Sequence, residues 1–149
     1  ESIEIGGKTM HYFRMKQENP ETVQSALNMM AADKSEKLFV LGLDDLRDFK
    51  PFYTNTFYSY DCDFRKLLDS NISRCICFSE TVAYDAALRL LYDGLDENKL
   101  TVLPTSDEKI IVEEIYKHGC DNVCIVTLLK KFNEIIDSAK KYVDGKEAE

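Results

Sequence analysis

The run Lys37-Leu38-Phe39-Val40-Leu41-Gly42-Leu43 is short, continuous and apolar. A strand of this composition has to be covered on both faces, which places it at the centre of a layered sheet. Ile72-Ser73-Arg74-Cys75-Ile76-Cys77-Phe78 reads as a second buried strand, and Lys99 to Leu103 and Asn122 to Thr127 as two more. Helical stretches alternate with them. Asn19 as N-cap, Pro20 at the first helical position and Glu21 in the first turn open a helix that carries Val23, Ala26, Leu27 and Met30 on one face. Ser79-Glu80-Thr81-Val82 opens another, with Ala83, Ala86, Ala87, Leu90 and Leu91 as its apolar stripe and Gly94 as its stop. Ser106 or Asp107 caps a third helix, Ile110 to His118, ended by Gly119; a fourth spans Leu128 to Val143. The chain begins with alternating Ser2-Ile3-Glu4-Ile5, a Gly6-Gly7 turn and a returning strand from Lys8 to Met15, which is a β-hairpin.

Strands alternating with helices through short links predict an α/β fold: three layers, a mostly parallel sheet with helices on both faces, and the antiparallel hairpin at one edge. A length of 149 residues suits one domain. Its expected extent is residues 1–144, with a charged, fraying tail over 145–149. The chain opens on Glu1 rather than Met, and a piece cut from a longer protein is expected.

Composition removes several function classes. With 27 acidic against 19 basic residues and a net charge of −8, nucleic acid is not the expected partner, because phosphate binding draws on clustered Lys and Arg. No apolar run approaches the roughly 20 residues that span a bilayer. Five cysteines form an odd set without the spacing of a small secreted domain, and no charged region followed by an apolar one opens the chain; the expected compartment is the reducing cytoplasm. Gly7-Lys8-Thr9 suggests a phosphate loop, but Ser2 stands where that motif needs its first glycine and no helix follows Thr9.

Chemistry concentrates in Asn55-Thr56-Phe57-Tyr58-Ser59-Tyr60-Asp61-Cys62-Asp63-Phe64, where dense aromatics run into two carboxylates. Phe57, Tyr58 and Tyr60 favour an extended, half-buried backbone. Asp61 and Asp63 favour turns and caps, so the chain is expected to leave the core at Asp61 and enter a helical turn from Phe64 to Leu68. A carboxylate there either caps that turn or is aimed outward. The preceding loop, Asp44 to Asn55, leaves the carboxyl end of the central strand, where open α/β sheets place function. Cys75 and Cys77 face one side of their strand, and His118, Cys120 and Cys124 lie close in sequence. Their spacing matches no paired zinc pattern, and ordinary reduced core thiols are expected. Neither His11 nor His118 has an acid placed by sequence to make a cysteine nucleophile.

Taken together, Asn19-Pro20, the Phe57 to Phe64 stretch and the helix from Ser79 to Gly94 resemble the C-terminal domain of the MurT family, relatives of the Mur ligases. That family typically shows an Asn-Pro after the second strand, a Ser-Trp-Ile-Trp-Asp-x-x-Phe stretch and an Arg-Ala-x-Asp-Met-Ala-x-Arg-Leu-Lys-Tyr-Ala-Gly helix. Asp61 and Phe64 hold the second motif; Ala83, Asp85, Ala87, Arg89, Leu90, Tyr92 and Gly94 hold the third. Ile125-Val126-Thr127 is similar to the family's closing Ile-Leu-Ala-Thr. The likeness runs from about Ile3 to about Ile135. Tyr58 and Tyr60 replace the tryptophans, Asn55 falls near the family's upstream Asp, and Val82 replaces the Arg before Ala-x-Asp.

The resemblance implies a Rossmann-like Mur ligase C-terminal domain. MurT is the synthetase subunit of lipid II isoglutaminyl synthase: it uses ATP and Mg, bound mainly by preceding domains, to activate and amidate the D-glutamate of lipid II in peptidoglycan synthesis. Its partner, the GatD glutaminase, makes ammonia from glutamine with a Cys-His pair. The resemblance further implies that this domain docks GatD and lends an aspartate to that pair, with Asp61 first and Asp63 second in line. It places Asn19 at the cleft facing the central domain, a plain helix cap being the equal alternative. A domain of this kind by itself is expected to be inactive. The competing expectation is a non-catalytic α/β ligand- or protein-binding module, for which the replaced tryptophans and arginine speak.

Overall fold

The computed structural model describes residues 1–14, 19–43 and 61–149. Among them, six strands form one sheet in the order β1-β2-β6-β3-β4-β5. They are β1 (Ser2–Ile5), β2 (Lys8–Tyr12), β3 (Lys37–Gly42), β4 (Ile72–Phe78), β5 (Leu100–Leu103) and β6 (Asn122–Thr127). Only the β1–β2 pairing is antiparallel; the other four are parallel. The hairpin turn is two glycines, Gly6 at φ 55° and Gly7 at φ 82°, the left-handed pair that a tight hairpin matching strand twist requires. The α/β architecture with a mostly parallel sheet and an antiparallel edge hairpin is therefore as the sequence predicts.

The period-two alternation of each central strand builds two cores. Phe39, Leu41, Cys75, Cys77, Cys124 and Val126 face one side, where they meet α1 (Pro20–Ala32), α2 (Arg65–Leu68) and α3 (Ala83–Tyr92). Leu38, Val40, Ile76, Phe78, Val123 and Ile125 face the other, under α4 (Glu108–Lys117) and α5 (Leu129–Glu147). Every residue of β3 is buried, which is why its sequence shows no polar alternation. The last residue, Gly42, is a glycine because a Cβ there would run into the Phe78 ring.

Two buried lysines join the loops at the amino end of the sheet. Lys37 Nζ donates to the carbonyls of Asp33 (2.7 Å), Ser35 (3.0 Å) and Ser70 (2.6 Å). Burial pushes its pKa down. Lys8 Nζ donates to the carbonyls of His118 (2.6 Å) and Cys120 (2.7 Å). Gly7-Lys8-Thr9 is thus the end of a hairpin, and the ammonium a phosphate would need is already engaged.

Some boundaries differ from the sequence reading. Strand β2 ends at Tyr12, and the Met15 expected to end it lies outside the described residues. Lys99 closes a 3₁₀ turn rather than opening β5. Helix α4 starts at Glu108 under an Asp107 cap whose side chain accepts from Lys109 N–H, and it ends at Lys117. Helix α5 runs past Val143 and through Gly145 to Glu147, so the tail expected to fray is mostly helix: one glycine costs a long helix only about 1 kcal/mol. Leu91, expected in the buried stripe of α3, is 37% exposed, since it sits about 100° around the helix from Leu90. The loop Asp44 to Asn55 and the aromatics Phe57, Tyr58 and Tyr60 lie outside the described residues.

Candidate functional site

Residues 61–65 form a corner between α1 and α3, and their side chains alternate. Cys62 and Phe64 are buried, 1% and 0% exposed, in the core under α1 and α3. Asp61 is exposed and Asp63 half-exposed. The Cys62 thiol points at the Pro20 carbonyl (3.6 Å), and the Phe64 ring lies 6.5 Å from that of Phe39. Burying every second residue turns both carboxylates toward solvent.

The two aspartates are then used differently. Arg65 holds Asp63 with a two-pronged ion pair: Nε donates to Oδ1 (3.0 Å) and a terminal guanidinium nitrogen to Oδ2 (2.7 Å). Oδ1 also accepts from the Arg65 backbone N–H (2.9 Å). These bonds favour the anion and lower the Asp63 pKa to about 2. Asp63 thus performs the turn-forming role weighed for both residues. Asp61 has no side-chain hydrogen bond or ion pair among the described residues.

The backbone of the corner is held by side chains from distant elements. Gln24 of α1 accepts from Asp63 N–H (2.7 Å) and donates to the Asp63 carbonyl (3.0 Å). Arg89 of α3 donates to the Cys62 carbonyl (3.2 Å), and Asp93, just after α3, accepts from Phe64 N–H (2.9 Å). Arg89 Nε approaches Asp93 Oδ2 at 3.7 Å, an ion pair beyond hydrogen-bond length. Sequence reasoning placed Arg89 within a motif and missed Gln24 and Asp93 as parts of the site. No periodicity marks a contact made across 29 or 39 residues of chain.

Asn19 caps α1 as expected: its Oδ1 accepts from Glu21 N–H (3.0 Å), with Pro20 as the first helical residue. That bond commits its acceptor to the helix.

Among the described residues the cysteines and histidines form no reactive set. All five cysteines are free thiols. Burial raises the pKa of Cys62 to about 11 and those of Cys77 and Cys124 to about 12, with Cys75 also well above the ordinary range. His118 Nε2 pairs with Glu114 (3.0 Å), and His11 Nδ1 with the Ser2 hydroxyl (2.6 Å). Among the described residues, no three His, Cys, Asp or Glu side chains converge as a metal would need. Among the described residues the site therefore offers an exposed carboxylate without a side-chain partner, beside a corner held by bonds from α1 and α3, and no nucleophile or base lies next to it.

The profile described as MurT ligase C-terminal matches residues 17–128, which takes in α1, the Asp61 corner, α3 and the strands through β6. The chain belongs to the MurT ligase C-terminal family. No curated protein matches it. Membership in the MurT family implies a Mur-ligase-like carbon–nitrogen ligase as the enzyme in which such a domain works. All the groups that hold the corner of this MurT-type domain, from Gln24 to Asp93, lie inside the matched span. The hairpin β1–β2 and helix α5 lie outside it. No helix among the described residues is long and apolar enough to cross a membrane.

Proposed function

We propose that the domain serves a MurT-like subunit of a glutamine-dependent amidotransferase, docks a GatD-like glutaminase and presents Asp61 to that partner's Cys-His pair. The observation that carries this reading is the contrast between neighbours: Asp63 is engaged by Arg65, whereas Asp61 is exposed and has no side-chain partner among the described residues. A carboxylate placed against an imidazole fixes its tautomer and stabilises the imidazolium, as the acid of a Ser-His-Asp triad does. Asp61 can do this for a partner and has nothing to do it for within the described residues.

In the same reading, the amidated group is the D-glutamate of lipid II and the setting is the cytoplasm. ATP and Mg would be held by other parts of the parent enzyme. Among the described residues no glycine-rich turn leads into a helix, and Lys8, the one lysine in a Gly-Lys-Thr sequence, is 5% exposed and spent on carbonyls. Asn19 would face the ligase cleft with its backbone and amide nitrogen, its Oδ1 being engaged as the cap.

The test is glutamine hydrolysis by the complex of the full-length parent with its glutaminase. Asp61→Asn keeps size and polarity and is expected to lower turnover steeply, on the order of ten-thousand-fold by analogy with the triad acid, with complex formation unchanged. Asp63→Asn is expected to leave turnover within a few-fold. Loss only in Asp63→Asn would transfer the role to Asp63. Full activity in both would leave a docking module with no share in the chemistry.

A further inference from the structure

Residues 62–64 belong to no helix or strand, yet four consecutive backbone polar groups are each met by a side chain from elsewhere. The Cys62 carbonyl receives Arg89, the Asp63 N–H and carbonyl receive the two ends of the Gln24 amide, and the Phe64 N–H receives Asp93. Side-chain bonds to backbone are mostly local caps and turns; these join segments 27 to 39 residues apart. Water could serve the half-exposed Asp63 groups at little cost in stability, so what the amide adds is geometry. Gln24 is itself oriented, because its Nε2 donates to Asn28 Oδ1 (3.1 Å) as well as to the Asp63 carbonyl. That arrangement leaves Oε1 aimed at the Asp63 N–H.

We propose that Gln24 is a positioning residue for Asp61, the Gln24 amide acting with Arg89 and Asp93 to fix the corner from which that carboxylate reaches a partner. The inference rests on the reading that Asp61 completes a Cys-His glutaminase. With Cys62 buried beneath and its carbonyl held by Arg89, and with both polar groups of Asp63 clamped, the Cys62–Asp63 peptide, one residue beyond Asp61, is tied to α1 and α3. The Asp61 carboxylate needs no contact of its own to be placed. A shift of about 1 Å in a catalytic constellation can cost about a hundredfold in rate, so the clamp can matter to turnover while mattering little to folding.

The experiment is a double-mutant cycle on glutamine hydrolysis by the parent–glutaminase complex. Gln24→Met conserves volume and helix propensity and removes both clamp bonds. The expected result is a fall in kcat of about 10- to 100-fold, with KM for glutamine and the affinity of the two subunits within about twofold. The decisive arm is Gln24→Met combined with Asp61→Asn, which should be no slower than Asp61→Asn alone, because a positioning group has nothing left to position. Gln24→Glu keeps the acceptor for the Asp63 N–H and loses the donor to its carbonyl, and it should fall between wild type and Gln24→Met. If Gln24→Met does not fold, the same two-background comparison with Gln24→Glu decides.

Equal losses in both backgrounds, or loss of the complex, would overturn the inference and make the clamp a structural or docking feature. Full activity in Gln24→Met beside loss in Asp61→Asn would overturn it while leaving the reading of Asp61 intact. Full activity in Asp61→Asn would remove that reading, whatever Gln24→Met does.

Discussion

The amino end of the sheet and the Asp61 corner use one device for opposite ends. In both, long polar side chains satisfy the backbone of irregular segments from a distance. At the amino end the side chains that reach in are cations, and their charge is consumed: Lys37 is 0% exposed and Lys8 5%, each surrounded by carbonyls. At the corner an amide, a guanidinium and a carboxylate hold the backbone, and the neighbouring Asp61 charge stays in solvent. Inward-turned charge braces a fold. Outward-turned charge on braced backbone is what a partner can use.

Substitutions in either region test the contrast. The largest stability effect is expected from Lys37→Met, which keeps the buried stem and strips three carbonyls of their donor. A loss of about 2–5 kcal/mol is expected, read as a lower urea midpoint at unchanged slope; a loss under about 1 kcal/mol would mean that the amino end is not internally braced.

The smallest is expected at Asp63. Its folded pKa of about 2 lies below the ordinary carboxylate value, so the Arg65 pair contributes stability above about pH 4 and loses it as pH falls toward 2. Because the pair is exposed, the gap between wild type and Asp63→Asn should stay below about 1 kcal/mol at neutral pH and close near pH 2. A gap that widened on acidification would contradict the pairing.

The parts legible in the sequence are those set by local chemistry. Strand β3 was readable because burial on both faces forbids polar alternation, and the start of α1 because Asn19 and Pro20 have cap and first-turn roles that few residues share. Extension of α5 through Gly145 was not, since a glycine near a charged end reads as a stop although it costs a long helix only about 1 kcal/mol; the hairpin meets that helix at Val143, beside Gly6, and the turn beyond is exposed. Nor was the burial of Lys37, a residue type rarely sequestered without partners, whose acceptors come from Asp33, Ser35 and Ser70. At the corner, the sequence left open which of Asp61 and Asp63 forms the turn and which stays exposed. The discriminating residue, Arg65, was in plain view as part of a helical turn, and only the two-pronged geometry shows which aspartate it takes. Gln24 carried no signal because its role exists only after α1 and the corner are brought together.

If Asp61 serves a partner's imidazole as proposed, the pKa of that imidazole reports it. The measurement is an NMR titration of the active-site histidine in a glutaminase whose cysteine is replaced by alanine, free and in complex with the parent enzyme. A carboxylate alongside favours the imidazolium, so complex formation is expected to raise the histidine pKa, and Asp61→Asn, with binding intact, to remove the rise. A histidine pKa that rises equally with Asp61→Asn, or does not change on binding, would contradict it.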